Sequence, residues 1–303
     1  MLTLFSLPRA FSGSTGLIQD NAIGSWVRLG AGCEVILFGD DAGVGEAARR
    51  HGARHEPQVT RTAQGTPILS DVFARAQAIA SNPMLCFVNA DIILFDEVLA
   101  ATRRVAAVHQ RFLIVSSRFN HWIEEPLVFA AGWDRELRAL ARGIGDMYPA
   151  AGSDIFIFPR GLFDTIPPFA IGRSFWDNWL MYHARASRAP LIDATDAITA
   201  VHQNHDYGHV AGLPPGPDSS KLFHLTEEGR MNLALAGGVG RLTTAYDATE
   251  VLTANRELHS TLRPRLIRRR LKASVRRAAS SVAPGAWKML CRLRDAASPR
   301  QHA

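Results

Sequence analysis

Residues 85–94 run apolar chain straight into acid: Leu85-Cys86-Phe87-Val88-Asn89-Ala90-Asp91, then Ile92-Ile93-Leu94. A carboxylate enclosed by so much apolar chain is costly unless paired. Asp91 must therefore stand at a strand end, meet a cation or hold a metal. Side chains of an extended segment repeat every two residues, so Asn89 and Asp91 are expected on one side of it. Two oxygen-bearing groups at the mouth of a buried strand suit a hard divalent cation shared with phosphates. The same spacing also fits a strand-end Asx turn, so the rest of the chain has to decide.

The first two-thirds alternate strand and helix signals, which argues for an α/β fold on a largely parallel sheet. Residues 2–7 read as a strand, 16–29 as an amphipathic helix, 33–38 as a strand and 44–51 as a short helix. A short strand near 53–56 and a helix over 68–81 follow, the latter with Ser70 or Asp71 as its expected cap. Strand 84–89, helix 95–109 and strand 112–117 come next. Residues 119–151 are less regular. A strand at 155–158, a helix over 175–187 and a final strand over 190–201 complete the pattern, and Pro/Gly-rich residues 211–221 mark a loop or boundary. The expected organisation is a body over 1–210, a loop and helical extension over 211–260, and a basic tail over 261–303.

Charge supports that division. The last 43 residues hold twelve Lys/Arg and one acid, Asp295, whereas the remaining 260 hold 22 basic and 27 acidic side chains. The net charge of +6 thus hides a mildly acidic body, which disfavours nucleic acid as a partner. Leu266, Ile267, Leu271, Val275 and Ala278 recur at helical spacing among the tail arginines, a pattern that suits either an anionic membrane surface or solvent. Three well-separated cysteines and no Cys-x-x-Cys fit a reducing compartment without a zinc knuckle. The N-terminus lacks a basic start, and no stretch of about 18 apolar residues occurs. A cytoplasmic location, with a possible peripheral attachment to the inner face of the cell membrane, is the expectation.

Polar clusters recur where strands end: Gly39-Asp40-Asp41, Asn89-Ala90-Asp91, Gly152-Ser153-Asp154 and His202-Gln203-Asn204-His205. Ligands of open α/β sheets bind outside the carboxyl ends of strands, so four such clusters point to a site. Phe175-Trp176-Asp177-Asn178-Trp179 adds a carboxylate between two indoles at a helix start. Apolar walls raise a carboxyl pKa, which suits a general base; the helix dipole and core packing offer a purely structural account. His202 and His205 are of a type that binds metal and could complete a set begun by Asp91.

Together these residues resemble a GT-A glycosyltransferase over residues 1–209. Cys86–Leu94 is similar to the Asn-Ala-Asp-Ile-Ile-Leu stretch of an uncharacterised, family-2-like glycosyltransferase group, and Gly152-Ser153-Asp154, Trp176–Trp179 and His202–His205 resemble that group too. The resemblance implies a nucleotide-diphospho-sugar transferase fold: a mixed, mostly parallel sheet flanked by helices. It implies Mn2+ or Mg2+ bound by Asp91 and Asn89 with His202 or His205, although Asn89 replaces the usual first acid with a weaker neutral ligand. Asp40, with Asp41 as second choice, would contact the nucleotide, and Asp177 would deprotonate the acceptor hydroxyl. Ser153, Asp154, Trp176, Asn178 and Trp179 would serve the substrates. The donor would be a nucleotide sugar and the acceptor a glycan, a lipid-linked group or a small molecule, with inversion the simpler outcome. Two alternatives stand beside it: a sugar-1-phosphate nucleotidyltransferase, poorly matched by Ser6–Gly13 after the first strand, and a non-catalytic binding protein of the same fold.

Overall fold

The computed structural model describes residues 1–144, 146–147, 153–205 and 222–261. Met1–Ser260 form one compact unit. The expected loop at 211–221 and, beyond Thr261, the basic tail lie outside the described residues.

The chain builds β1 (Leu2–Ser6), α1 (Gly13–Trp26), β2 (Cys33–Phe38), α2 (Val44–His51), β3 (Arg54–Glu56), α3 (Leu69–Ile79) and β4 (Met84–Val88). It continues through β5 (Ile92–Leu94), α4 (Glu97–Ala106), β6 (Leu113–Val115), β7 (Phe119–His121), α5 (Trp133–Ile144), β8 (Asp146–Met147) and β9 (Ile155–Pro159). Then come α6 (Trp176–Ala186), β10 (Leu191–Asp193), β11 (Ala200–Gln203), α7 (Glu227–Leu235), β12 (Glu250–Leu252) and β13 (Leu258–Ser260).

Nine strands form one sheet in the order β13-β12-β10-β6-β9-β4-β1-β2-β3, and β5-β11-β7-β8 form a smaller one. In the large sheet β9 runs antiparallel to β4 and β6, and β13 antiparallel to β12; the other pairings are parallel. The mixed, mostly parallel sheet flanked by helices that the sequence implies is therefore observed. Alternating side chains of the central strands feed two cores. Phe5, Phe87 and Phe158 point to one face and surround Phe73 of α3, whose ring stacks on Phe158 at 5.4 Å. Leu4, Cys86 and Ile157 point to the other face, against Trp26 of α1 and Val98 of α4.

Several sequence expectations are corrected here. Residues 84–94 are two strands, not one with a polar tip: the chain leaves the large sheet at Val88 and enters the small one at Ile92. Asn89-Ala90-Asp91 is the corner between the sheets. The Trp26 indole donates to the Ile92 carbonyl at 2.8 Å, and the Ser25 hydroxyl accepts from the Leu94 amide at 3.1 Å, which pins this corner to α1. The strand expected over 190–201 likewise divides between the sheets as β10 and β11. The less regular span 119–151 contains β7 and α5. Ile68 occupies the cap position of α3; Ser70 and Asp71 lie inside the helix, where Asp71 accepts from the Thr60 amide at 2.7 Å. From residue 222 onward, the expected extension is built into the same unit, since β12 pairs with β10 in the large sheet. Among the described residues, no helix is long and apolar enough to cross a membrane.

Candidate active site

The carboxyl ends of β1 and β4 lie side by side, joined by a hydrogen bond from the Ser6 hydroxyl to the Val88 carbonyl at 2.6 Å. Beyond them opens a cleft of about 480 Å³. Four acids line it, Asp41, Asp91, Asp154 and Asp177, together with four arginines, Arg9, Arg61, Arg118 and Arg173.

Asp91, His202 and His205 converge on the corner between the sheets. β11 runs antiparallel to β5 with His202 opposite Ile92, which brings the histidine strand alongside the residue before β5. The backbone of Gln203 donates to the Asp91 carbonyl at 3.1 Å and locks that approach. One Asp91 oxygen lies 3.1 Å from His205 Nε2 and 3.5 Å from His202 Nε2. One potential ligand atom from each residue lies within 4.8 Å of the others, close to the roughly 4 Å that two bonds to one small divalent ion span. The other Asp91 oxygen and both ring nitrogens of His202 are buried without a hydrogen-bond partner. Buried polar atoms are rarely left so, and a bound cation would satisfy the Asp91 oxygen and one of the two His202 nitrogens. This carboxylate–imidazole donor set fits a divalent metal. Burial alone pushes the Asp91 carboxyl up, but the nearby His202 and His205 charges and the His205 hydrogen bond outweigh it and hold the group well below the usual carboxylate range.

Asn89 takes a different partner. Its amide donates to Asp154 Oδ1 at 2.6 Å, and the other Asp154 oxygen accepts from Arg118 at 2.5 Å. Asp154 is thus held as the partner of a cation and an amide, and the Ser153 hydroxyl bonds the Ser116 and Ile155 carbonyls within the sheet. Both residues line the cleft through groups already engaged.

Asp177 sits in the first turn of α6, on the cleft wall. Desolvation pushes its carboxyl up to about 6, against backbone N–H bonds that lower it, with a further upward push from the Asp154 charge. Its helix begins at Phe175, whose φ of 84° places a bulky residue in the left-handed region. That conformation is uncommon and strained for such a side chain.

The flanking tryptophans divide. Trp176 reaches the cleft but packs its ring edge-on against Phe87 at 5.5 Å. Trp179 stacks on His183 at 4.8 Å, is 8% exposed and does not line the cleft. Asn178 donates to the Thr243 carbonyl at 3.0 Å and is likewise absent from the lining. The expectation that Trp179 and Asn178 face substrate is corrected accordingly; their spacing on α6 turns them toward the body of the protein. Asp41 lines the cleft and Asp40 does not, and Arg61 bridges the two at 2.8 Å each.

Sequence reasoning missed the four arginines. Arg118 follows directly on the apolar strand signal of 112–117, a position at a strand's carboxyl end that could have drawn notice. Arg61 and Arg173 stand alone in loops, without a local signal.

No protein-family model matches the chain, and no curated protein matches it. Solved structures do. The chain is similar to Mycobacterium tuberculosis glucosyl-3-phosphoglycerate synthase, at 17% identity over 80% of each chain with a TM-score of 0.47. It is also similar to a mannosyltransferase of Pyrobaculum calidifontis solved with GDP-Man and Mn2+, at 14% identity over 78% of this chain and 74% of that one, with a TM-score of 0.44. A third similar structure is S. aureus TarS 1–349 with UDP-GlcNAc, at 14% identity over 80% of this chain and 72% of that one, again with a TM-score of 0.44.

Proposed function

We propose that this protein transfers a sugar from a nucleoside-diphosphate donor to a hydroxyl acceptor, with inversion at the sugar carbon. The observation that carries the reading is the Asp91–His202–His205 cluster, with its buried unpartnered atoms, opening on the same cleft as the desolvated carboxyl of Asp177. Asp91, His202 and His205 would hold Mn2+ or Mg2+, which when bound offsets the charge of the departing diphosphate. Arg9, Arg61, Arg118 and Arg173 stand among the four acids of the cleft and would supply guanidinium donors to a diphosphate. Asp41 and Arg61, both on the cleft wall, would meet the nucleotide.

Asp177 supplies the base. Ionised above about pH 6, it takes the acceptor hydroxyl proton as the acceptor oxygen bonds the sugar carbon. The bond from that carbon to the phosphate oxygen breaks with its electron pair on the diphosphate. Attack opposite the leaving group inverts the centre.

The test is a panel of uridine and guanosine diphosphate sugars, assayed for hydrolysis and transfer with Mn2+, with Asp91→Ala as the comparison. Turnover that falls at least about a hundredfold in Asp91→Ala supports the reading, in line with loss of a metal's Lewis-acid contribution. Turnover indifferent to Asp91 overturns it. Consumption of nucleoside triphosphate with a sugar phosphate would identify a nucleotidyltransferase instead. Absence of metal-linked nucleotide binding would identify a binding protein.

A further inference from the structure

α7 is a short helix of polar sequence, Glu-Glu-Gly-Arg-Met-Asn-Leu-Ala-Leu, yet two of its polar side chains are buried: Glu228 at 5% and Asn232 at 0% exposed. They lie one turn apart and so share a face. Both grip the loop that leads into α6. Asn232 accepts from the Ala170 amide at 2.9 Å, and its amide group donates to the Ala170 carbonyl at 3.0 Å and the Ser174 carbonyl at 3.1 Å. Glu228 accepts from Arg173 Nε at 2.8 Å, from Thr66 at 2.8 Å and from Thr62 at 2.6 Å. A second grip follows on the far side of Asp177, where Asn178 and Thr243 exchange hydrogen bonds of 3.0 and 3.3 Å.

Between the two grips stand Phe175, in its strained left-handed conformation, and Asp177. Strain of this kind persists only where surrounding structure over-determines it. We infer that Asn232 is a positioning residue, holding the Ser174 carbonyl so that α6 starts through a left-handed Phe175 and delivers Asp177 into the cleft. This rests on the reading of Asp177 as the catalytic base. It assigns the segment beyond residue 222 to the working site, rather than to an accessory extension.

The inference predicts a specific coupling. Glycine adopts positive φ without steric cost, so Phe175→Gly should make the clamp less necessary. Donor turnover is measured for wild type, Asn232→Ala, Phe175→Gly and the double variant, with kcat and donor KM separated. Asn232→Ala should lower kcat about tenfold to a hundredfold, the scale of a base misplaced by about 1 Å, with donor KM within about twofold. In the Phe175→Gly background, the same substitution should cost less than about threefold. Equal losses in both backgrounds, or a loss that only follows the folded fraction, would overturn the inference. Should Asn232→Ala fail to fold, Asn178→Ala removes the side-chain half of the second grip and should lower kcat by a smaller factor at unchanged KM; wild-type kcat would count against the inference. A wild type inactive on every donor refutes the functional reading itself, whereas an active wild type matched by Asn232→Ala refutes only the clamp.

Discussion

Replacing Asp177 by Asn should make the protein more stable at pH 8 while abolishing its turnover. Desolvation raises the folded-state pKa to about 6, from an ordinary value of 3.8. The unfolded chain therefore gives up this proton more readily than the folded one. Above pH 6 the folded state bears the full cost of a buried charge; below 3.8 both states hold the proton and the cost vanishes. The difference corresponds to about 3 kcal/mol at pH 8, of which roughly 2 kcal/mol should develop between pH 4.5 and pH 8. Asparagine carries no charge, so the gain from the substitution must grow with pH across that window. Backbone N–H donors that now face the carboxylate offset part of the gain, because the new amide cannot accept on both atoms. Urea unfolding of wild type and Asp177→Asn at pH 4.5, 6 and 8 measures this, since titrating groups that do not interact with Asp177 cancel in the difference. A stability difference that stays flat with pH would refute the claim that Asp177 is a desolvated carboxylate. The same ionisation should give wild-type kcat/KM an acid limb near pH 6, with activity lost as pH falls.

Among the described residues Arg118→Ala leaves Asp154 with Asn89 as its side-chain partner, and it should cost about 3 kcal/mol in denaturant unfolding. By unmasking the Asp154 charge it should also move the acid limb of kcat/KM to higher pH. Trp179→Ala empties a core position between Phe169 and His183; about 3 kcal/mol of stability should be lost, while donor and acceptor KM of the folded fraction stay unchanged. Gly229→Ala drives a Cβ into the Phe223 carbonyl oxygen, so the start of α7 must shift. We expect a fall in both melting temperature and kcat, checked by thermal unfolding and turnover under matched conditions.

Where local signals coincided, the sequence could be read to the residue. β2 and α2 fall on 33–38 and 44–51 as expected, because an apolar run closes at Gly39 and a helix-period segment closes at Gly52. What failed was anything that depends on which sheet a strand joins. β5, β7 and β11 are only three or four residues long, and no local property tells a short apolar strand that it belongs to a second sheet. α5 was missed for a different reason. Its buried Leu137 and Ala141 do recur at helical spacing, but polar residues around them dilute the pattern.

The candidate site divides along the same line. Asp91, His202 and His205 are legible because each lies at or just beyond an apolar run, where a polar cluster is out of keeping with its surroundings. Their convergence then follows from two facts of pairing, the corner at 89–91 and the antiparallel register of β11 on β5. Asn89 seemed from its spacing to share Asp91's direction, but that inference assumed an unbroken strand. Once the chain turns at this corner, the two-residue period no longer applies, and the Asn89 amide meets Asp154, 65 positions away. Asp154 is thereby tied to the corner that holds Asp91, while its charge acts on Asp177. The candidate metal cluster and the candidate base are thus linked through Asn89 and Asp154. A change at either residue should disturb metal affinity and the acid limb together, read by Mn2+ titration and by the pH profile of kcat/KM.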